Sequence, residues 1–336
     1  MTTTTADRPA TGAGSDFAEL RRRIDAAGLL ERRPAYYTLR LGVVAAAYAG
    51  GWIAFVMIGS SWWTLAVAAF LAVVFAQVAF VAHDLAHRQV FRSNRAGARA
   101  GLVAGNLAIG MSYGYWMVKH TRHHANPNHD DLDPDVGPGV LVWSREAARA
   151  GGFLAKYQAF LFIPLLTLLG VSLKRDSIRA LLDGTVKRPR VEGGLLAVHV
   201  VLYLSALLTV LGPLQALAFL VVHQALFGIY LGLTFAPNHK GMPHPTGTED
   251  FLRKQVLTSR NVRGSWLVDI ALGGLNHQIE HHLFPAMPTP SLCRAQPIVQ
   301  AYCAEIGVPY EITGLADSYA QAFRHLHEVG AELRRR

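Results

Sequence analysis

The sequence predicts an all-α integral membrane protein built from two transmembrane helical hairpins and a helical cap. Three observations predict it. Only 16% of the 336 residues are Asp, Glu, Lys or Arg, against about 25% in soluble proteins. The apolar residues gather in four blocks, at about 41–59, 62–82, 195–211 and 214–236. Each is close to the roughly 20 residues that cross a hydrocarbon core. The blocks also pair. Gly59, Ser60 and Ser61 join the first two, and Gly212 and Pro213 join the last two, so each pair must turn back at once.

Residues 1–15, rich in Thr, Ala and Gly, are expected to be disordered. With Arg21, Arg22, Arg23, Arg32 and Arg33 they form a disordered, basic cytoplasmic leader over residues 1–35. It has no secretory pattern, because the first apolar run is too long for a signal-peptide core. Residues 36–336 then form one membrane domain. The stretch 101–118 is interrupted by four glycines and Asn106, and 153–172 by Lys156, Gln158 and Pro164. If 153–172 crossed the membrane, Lys174, Arg175, Arg179, Lys187, Arg188 and Arg190 would be outside. Basic loops stay on the cytoplasmic side, so this stretch is expected to be interfacial or re-entrant. Both hairpins then start and end inside, with both termini cytoplasmic.

Segments 126–139 and 236–250 are rich in turn formers and read as loops. The tail 291–333 reads as two soluble helices around Gly307-Val308-Pro309, with His325 and His327 on the surface. Cys293 and Cys303 are too far apart for a CxxC pair and read as reduced, structural thiols. The formal net charge of +9 fits the positive-inside rule and attraction to anionic lipid. It also fits a docking face for an acidic redox protein. Because the basic residues flank membrane segments, nucleic acid is not the expected partner.

Three histidine clusters follow the apolar blocks: His83-Asp84-Leu85-Ala86-His87, His120-Thr121-Arg122-His123-His124 and His277-Gln278-Ile279-Glu280-His281-His282. Histidine is the commonest side-chain metal ligand. Residues three and four apart share a helix face, which aligns His83 with His87 and places His120, His123 and His124 together. Such imidazole sites suit iron, copper or zinc. One tetrahedral zinc cannot use this many histidines, but two metals can, so a dinuclear centre in the cap is expected. Asp84 and Glu280 either accept a ligand's second N–H or solvate a helix end. Asp130, Asp131, Asp133 and Asp135 read as a solvated loop, with outer carboxylates as the alternative. His129 and His244 lack partner spacing. His199 and His223, inside membrane helices, read as lone histidines that bond a neighbouring backbone.

In their order, spacing and wording, the three boxes resemble the integral-membrane fatty-acid desaturase family. The first matches its HxxxH form and the second HxxHH. The third, within Gly273-Gly274-Leu275-Asn276 and Leu283-Phe284-Pro285, matches the QxxHH form of acyl-lipid and front-end desaturases. The resemblance covers about residues 35–310. It implies two iron ions (Fe2+/Fe3+), dioxygen as co-substrate, and ligands at His83, His87, His120, His123, His124, His281 and His282. It adds His239, at the end of the last membrane helix. Gln278 stands where other members have a histidine, and His277 lies beside it, so either could face the iron.

The resemblance further implies a CoA-linked or lipid-linked fatty acyl substrate. Neither a GxGxxG motif nor a fused cytochrome b5 domain is recognised in the sequence. Electrons are therefore expected from a separate carrier, such as ferredoxin or a cytochrome b5-like protein with its reductase. A hydroxylase or ketolase of the same superfamily is the alternative reading. A non-catalytic metal-binding or transport protein is a third, disfavoured because the boxes follow the helix ends rather than lie at mid-membrane.

Overall fold

The computed structural model describes residues 15–136, 141–149 and 151–335. Most of the expected N-terminal disorder, over 1–14, lies outside these residues, as do positions 137–139 of the first loop.

Helix α1 (Asp16–Ala26) overturns the expectation of a disordered leader for the residues that follow. The Ser15 hydroxyl accepts from the Ala18 N–H and caps it. Leu20 and Ile24, one turn apart, are fully buried in a core shared with Leu292 and Val299. Truncating Leu20 to Ala is expected to cost about 2–5 kcal/mol.

Helices α2 (Pro34–Ile58) and α3 (Thr64–Ala86) form the first hairpin. Helix α4 (Asn94–Leu102) runs into a π-helical turn, Val103–Ala108, and then α5 (Tyr113–Ala125). The glycine-broken stretch 101–118 is thus not one span. A short helix α6 (Arg145–Arg149) precedes α7 (Phe153–Leu166) and α8 (Leu169–Leu182), which meet at 86°. That bend marks a broken span or a re-entrant loop. Lys174, the first residue of the expected basic loop, has a buried ammonium, and nearby Ser177 is buried too.

Helices α9 (Pro189–Val210) and α10 (Pro213–His239) form the second hairpin. Among the described residues four helices, α2, α3, α9 and α10, are long and apolar enough to cross a membrane. They outrun the apolar blocks: α2 begins at Pro34 and α10 continues to His239. Proline at the first helical position helps to start α2, α9 and α10, because no intrahelical donor is lost there.

Beyond the spans come α11 (Phe251–Leu257), α12 (Trp266–Ala271), α13 (Gln278–Leu283), α14 (Thr289–Glu305), α15 (Leu315–Val329) and α16 (Ala331–Arg335). A short parallel pair, β1 (Asn261–Arg263) with β2 (Ile312–Gly314), ties the ends of this cap together. One core holds the spans around Leu71, Phe75, Phe219 and Phe227; another holds the cap around Ile279, Leu283 and Cys303. Cys293 is exposed.

Candidate metal centre

Four chain segments deliver the histidines. His83 lies in the last turn of α3, and His87 caps it. His120, His123 and His124 end α5, whose start is pinned from outside. Buried Glu192 accepts from Ser112 Oγ at 2.6 Å and Gly114 N at 3.0 Å, and a carboxylate suits a helix N-terminus. His239 is the last residue of α10. His281 and His282 lie on α13, which the chain reaches through Gly273 and Gly274, both at positive φ. A Cβ at Gly274 would lie 2.3 Å from Thr289 Cγ2, so only glycine satisfies both the backbone and the space.

The side chains divide into two groups. His83, His87, His120, His124 and His281 form one; His123, His239 and His282 form the other. Sequence spacing had placed His120, His123 and His124 on one face. The structure splits them, because adjacent helical residues point about 100° apart. His123 and His124 therefore serve different groups, as do His281 and His282.

In the larger group the Nε2 atoms link in a chain from His83 through His281, His124 and His120 to His87, with contacts of 2.9 to 3.1 Å. Burial, reinforced by the neighbouring rings, pushes His87, His120, His124, His281 and His282 well below the ordinary imidazole range. Neutral rings so placed turn lone pairs toward one another, an arrangement that calls for a cation. Contacts of this length are what nitrogens sharing one metal ion would show, and five such donors exceed the four that a structural zinc would use.

The smaller group is held from outside. His123 Nδ1 lies 3.0 Å from Asp133 Oδ2, His239 Nδ1 3.0 Å from Thr258 O, and His282 Nδ1 2.8 Å from Gln255 Oε1. Each ring N–H has an oxygen acceptor, which fixes the tautomer and aims Nε2 inward. His282 Nε2 is buried without a hydrogen-bond partner among the described residues, as a metal-facing nitrogen should be.

The outer residues correct several expectations. Gln278, not His277, faces the site: its Nε2 is 2.9 Å from His239 Nε2. His277 turns away to Gln296 and Asp269. Asp84 lies 3.3 Å from His83 Nδ1 and pairs with Arg40 at 2.8 Å. Among the described residues Glu280 hydrogen-bonds no ligand ring. It accepts from Asn261 and Tyr310, and burial pushes its carboxyl up. Asp130 and Asp131 are exposed, but Asp133 is buried against His123, so the solvated reading fails there. Burial pushes Asp135 up, yet Lys119, His123 and Lys240 together hold it below the usual carboxylate range.

His129 and His244 stay outside both groups. His199 bonds the Leu107 carbonyl, as expected of a lone helix histidine, whereas His223 Nδ1 meets the side chains of Tyr203 and Gln224. His327 is exposed, but His325 is half-buried and donates to Trp143 O.

Sequence reasoning missed Gln255, Thr258, Asn128 and Arg260. Asn128, at φ 58°, donates to the carbonyls of His239 and Thr258. Fully buried Arg260 donates to Pro237 O and Lys240 O and so caps the end of α10 beside His239. The positive φ at a non-glycine residue belongs to the folded backbone and leaves no mark in the sequence.

A cavity of about 230 Å³ runs from the histidines between the spans. Its walls include Phe80, Met111, Leu166, Leu173 and Leu231, and its histidine end holds His83, His120, His123, His239 and Gln278. Trp116 stacks on His120 at that end, with ring centres 4.2 Å apart.

The profile of the fatty acid desaturase family matches residues 60–314. An acyl-lipid (9-3)-desaturase of Physcomitrium patens is 30% identical over 329 residues, covering 94% of this chain and 62% of its own length. Fatty acid desaturase 3 of Bos taurus is 31% identical over 329 residues, covering 94% and 73%. The Delta(6)-fatty-acid desaturase fat-3 of Caenorhabditis elegans is 25% identical over 342 residues, covering 94% and 75%. The chain thus spans about six tenths of the Physcomitrium relative.

Proposed function

The chain belongs to the fatty acid desaturase family, and on that premise we propose that it is an O2-dependent fatty acyl desaturase. One observation carries the reading: two convergent histidine groups line one end of a largely apolar cavity of about 230 Å³. The reaction converts –CH2–CH2–, O2, two electrons and two protons into –CH=CH– and two waters. Iron bound by the two groups supplies the dioxygen chemistry.

The chain's own residues do the rest. The eight grouped histidines hold the metals, and Asp133, Thr258, Gln255 and Asp84 orient four of them. The cavity walls exclude water and hold an alkyl chain that offers almost no polar handle. Regioselectivity therefore comes from where the walls stop and bend the chain. An acyl-CoA or an acyl-lipid supplies such a chain; the Physcomitrium relative is named for the lipid-linked form.

Electrons arrive from a separate carrier, ferredoxin or a cytochrome b5-like protein with its reductase. The net charge of +9 favours an acidic carrier, and turnover should fall as salt screens the approach. The positive-inside rule puts the histidines and both termini in the cytoplasm. A cysteine at exposed Ser60 should then be labelled from outside the cell and one at exposed Lys187 protected.

The deciding experiment expresses the chain with a carrier and reductase, then measures metal content and acyl unsaturation. The expected result is about two irons per chain and a new double bond, lost in His123→Ala. Iron-loaded protein that yields hydroxylated chains, or one zinc and no iron, would overturn the reading.

A further inference from the structure

A second group of buried polar side chains lies among the spans, away from the histidine groups. His223 on α10 places Nδ1 2.9 Å from Tyr203 OH and 3.0 Å from Gln224 Nε2. The Lys174 ammonium on α8 and Gln224 Oε1 are buried with no hydrogen-bond partner among the described residues. Helices α8 and α10 cross closely here. A Cβ at Gly170 would lie 3.1 Å from Gln224 O and 3.5 Å from Gln224 Oε1. Lys174 is one turn further along the same face of α8, and its Nζ stands 5.1 Å from the centre of the Phe227 ring. Ammonium and amide therefore line one seam without touching. Leaving both dry is costly, and a water bridging donor and acceptor relieves both.

The position of this group relative to the cavity gives it a consequence. Leu173 lines the cavity from α8, and Ala79 on α3 and Leu231 on α10 are the lining residues furthest along those helices from His83 and His239. One turn beyond them, Phe75 and Phe227 meet with ring centres 6.1 Å apart. Behind that pair lies His223, 4.4 Å from the Phe75 ring. Along α10, His239 and Leu231 are separated by about 12 Å at 1.5 Å per residue.

We propose that Lys174, His223 and Gln224 form a hydrated polar site that closes the blind end of the acyl cavity and limits how far the chain's methyl end can run. The inference rests on the cavity being the acyl site. A methyl end pushed past Phe75 and Phe227 strips water from the ammonium and the amide and returns no hydrogen bond. Chains that stop short of the aromatic pair are therefore preferred.

The test offers the full chain, in membranes, a mixture of saturated acyl substrates of increasing length. Product length and double-bond position are read by mass spectrometry. Lys174→Met should raise the share of products longer than the wild-type optimum about tenfold, with the double bond unmoved from the carboxyl end and metal content unchanged. Leu173→Phe, on the cavity wall, should shift products to shorter chains. An active Lys174→Met with the wild-type length distribution overturns the proposal. If that variant fails to accumulate, Gln224→Leu is judged by the same criterion. A wild-type protein that makes no unsaturated product at any length would fail at the desaturase reading itself, a result distinct from an unaltered length profile.

Discussion

Five histidines converge in one group and three in the other, while the outer contacts run the opposite way. In the larger group the Nδ1 atoms of His124 and His281 have no partner among the described residues, and His83 reaches Asp84 only at 3.3 Å. In the smaller group all three Nδ1 atoms are held, at 2.8 to 3.0 Å. A site can gain affinity by adding ligands or by fixing the ones it has. The two groups use these routes separately. On the proposed reading, the larger group would tolerate loose rings because many nitrogens would share an ion, and the smaller would depend on each ring being aimed in advance.

The sharpest break of this comparison removes one ligand from each group. His282→Ala leaves two histidines of three, so one metal per chain should be lost and turnover should fall below detection. His281→Ala leaves four of five, and metal content should stay near two per chain while turnover drops. Metal analysis on purified protein decides it. Equal metal loss in both variants would show that the groups do not act as separate sites.

A milder test removes the outer carboxylates. Asp133→Asn removes the charge beside His123 and one of the two oxygens that face its Nδ1, and should weaken metal binding at the smaller site about 10- to 100-fold. Asp84→Asn acts on one loosely held ring of five and should cost less than that. Competition against a chelator reads both. A larger loss from Asp84→Asn would mean that Arg40, paired with it at 2.8 Å, positions the larger group more than ring number does.

The sequence made the boxes and hairpins legible because both are local. A histidine three or four residues from another, or twenty apolar residues in a row, needs no knowledge of the fold. Even the splitting of His123 from His124 follows from helix geometry. The outer contacts do not have this property. Asp133 reaches His123 across ten positions, Gln255 reaches His282 across 27, and Arg260 caps a helix that ended some twenty residues earlier. Each is a polar residue of ordinary type in an ordinary context until the chain folds. The ordered leader shows the same limit. Leu20 and Ile24 form too short an apolar pattern to announce a helix, and α14 supplies the surface they need.

The smallest effect is expected where the two groups come closest to being alike. Gln278 stands 2.9 Å from His239 Nε2, the place of a fourth ligand in the smaller group. Gln278→His puts an imidazole there and moves that group toward the ligand count of its neighbour. The change disturbs little else. Asn238 loses a 3.4 Å contact with Gln278 Oε1 but keeps Leu275 O at 2.9 Å. Metal release from the smaller site to a chelator should slow about two- to tenfold, within the range that one added interaction of about 1 kcal/mol gives. Turnover should stay within a few-fold of wild type, because the larger group is untouched and the change falls at the histidine end of the cavity, not on its apolar walls. Unchanged release would show that the glutamine side chain does not reach the metal. Faster release would show that its amide acts as an outer support for His239, placing it with Thr258 rather than with the ligands.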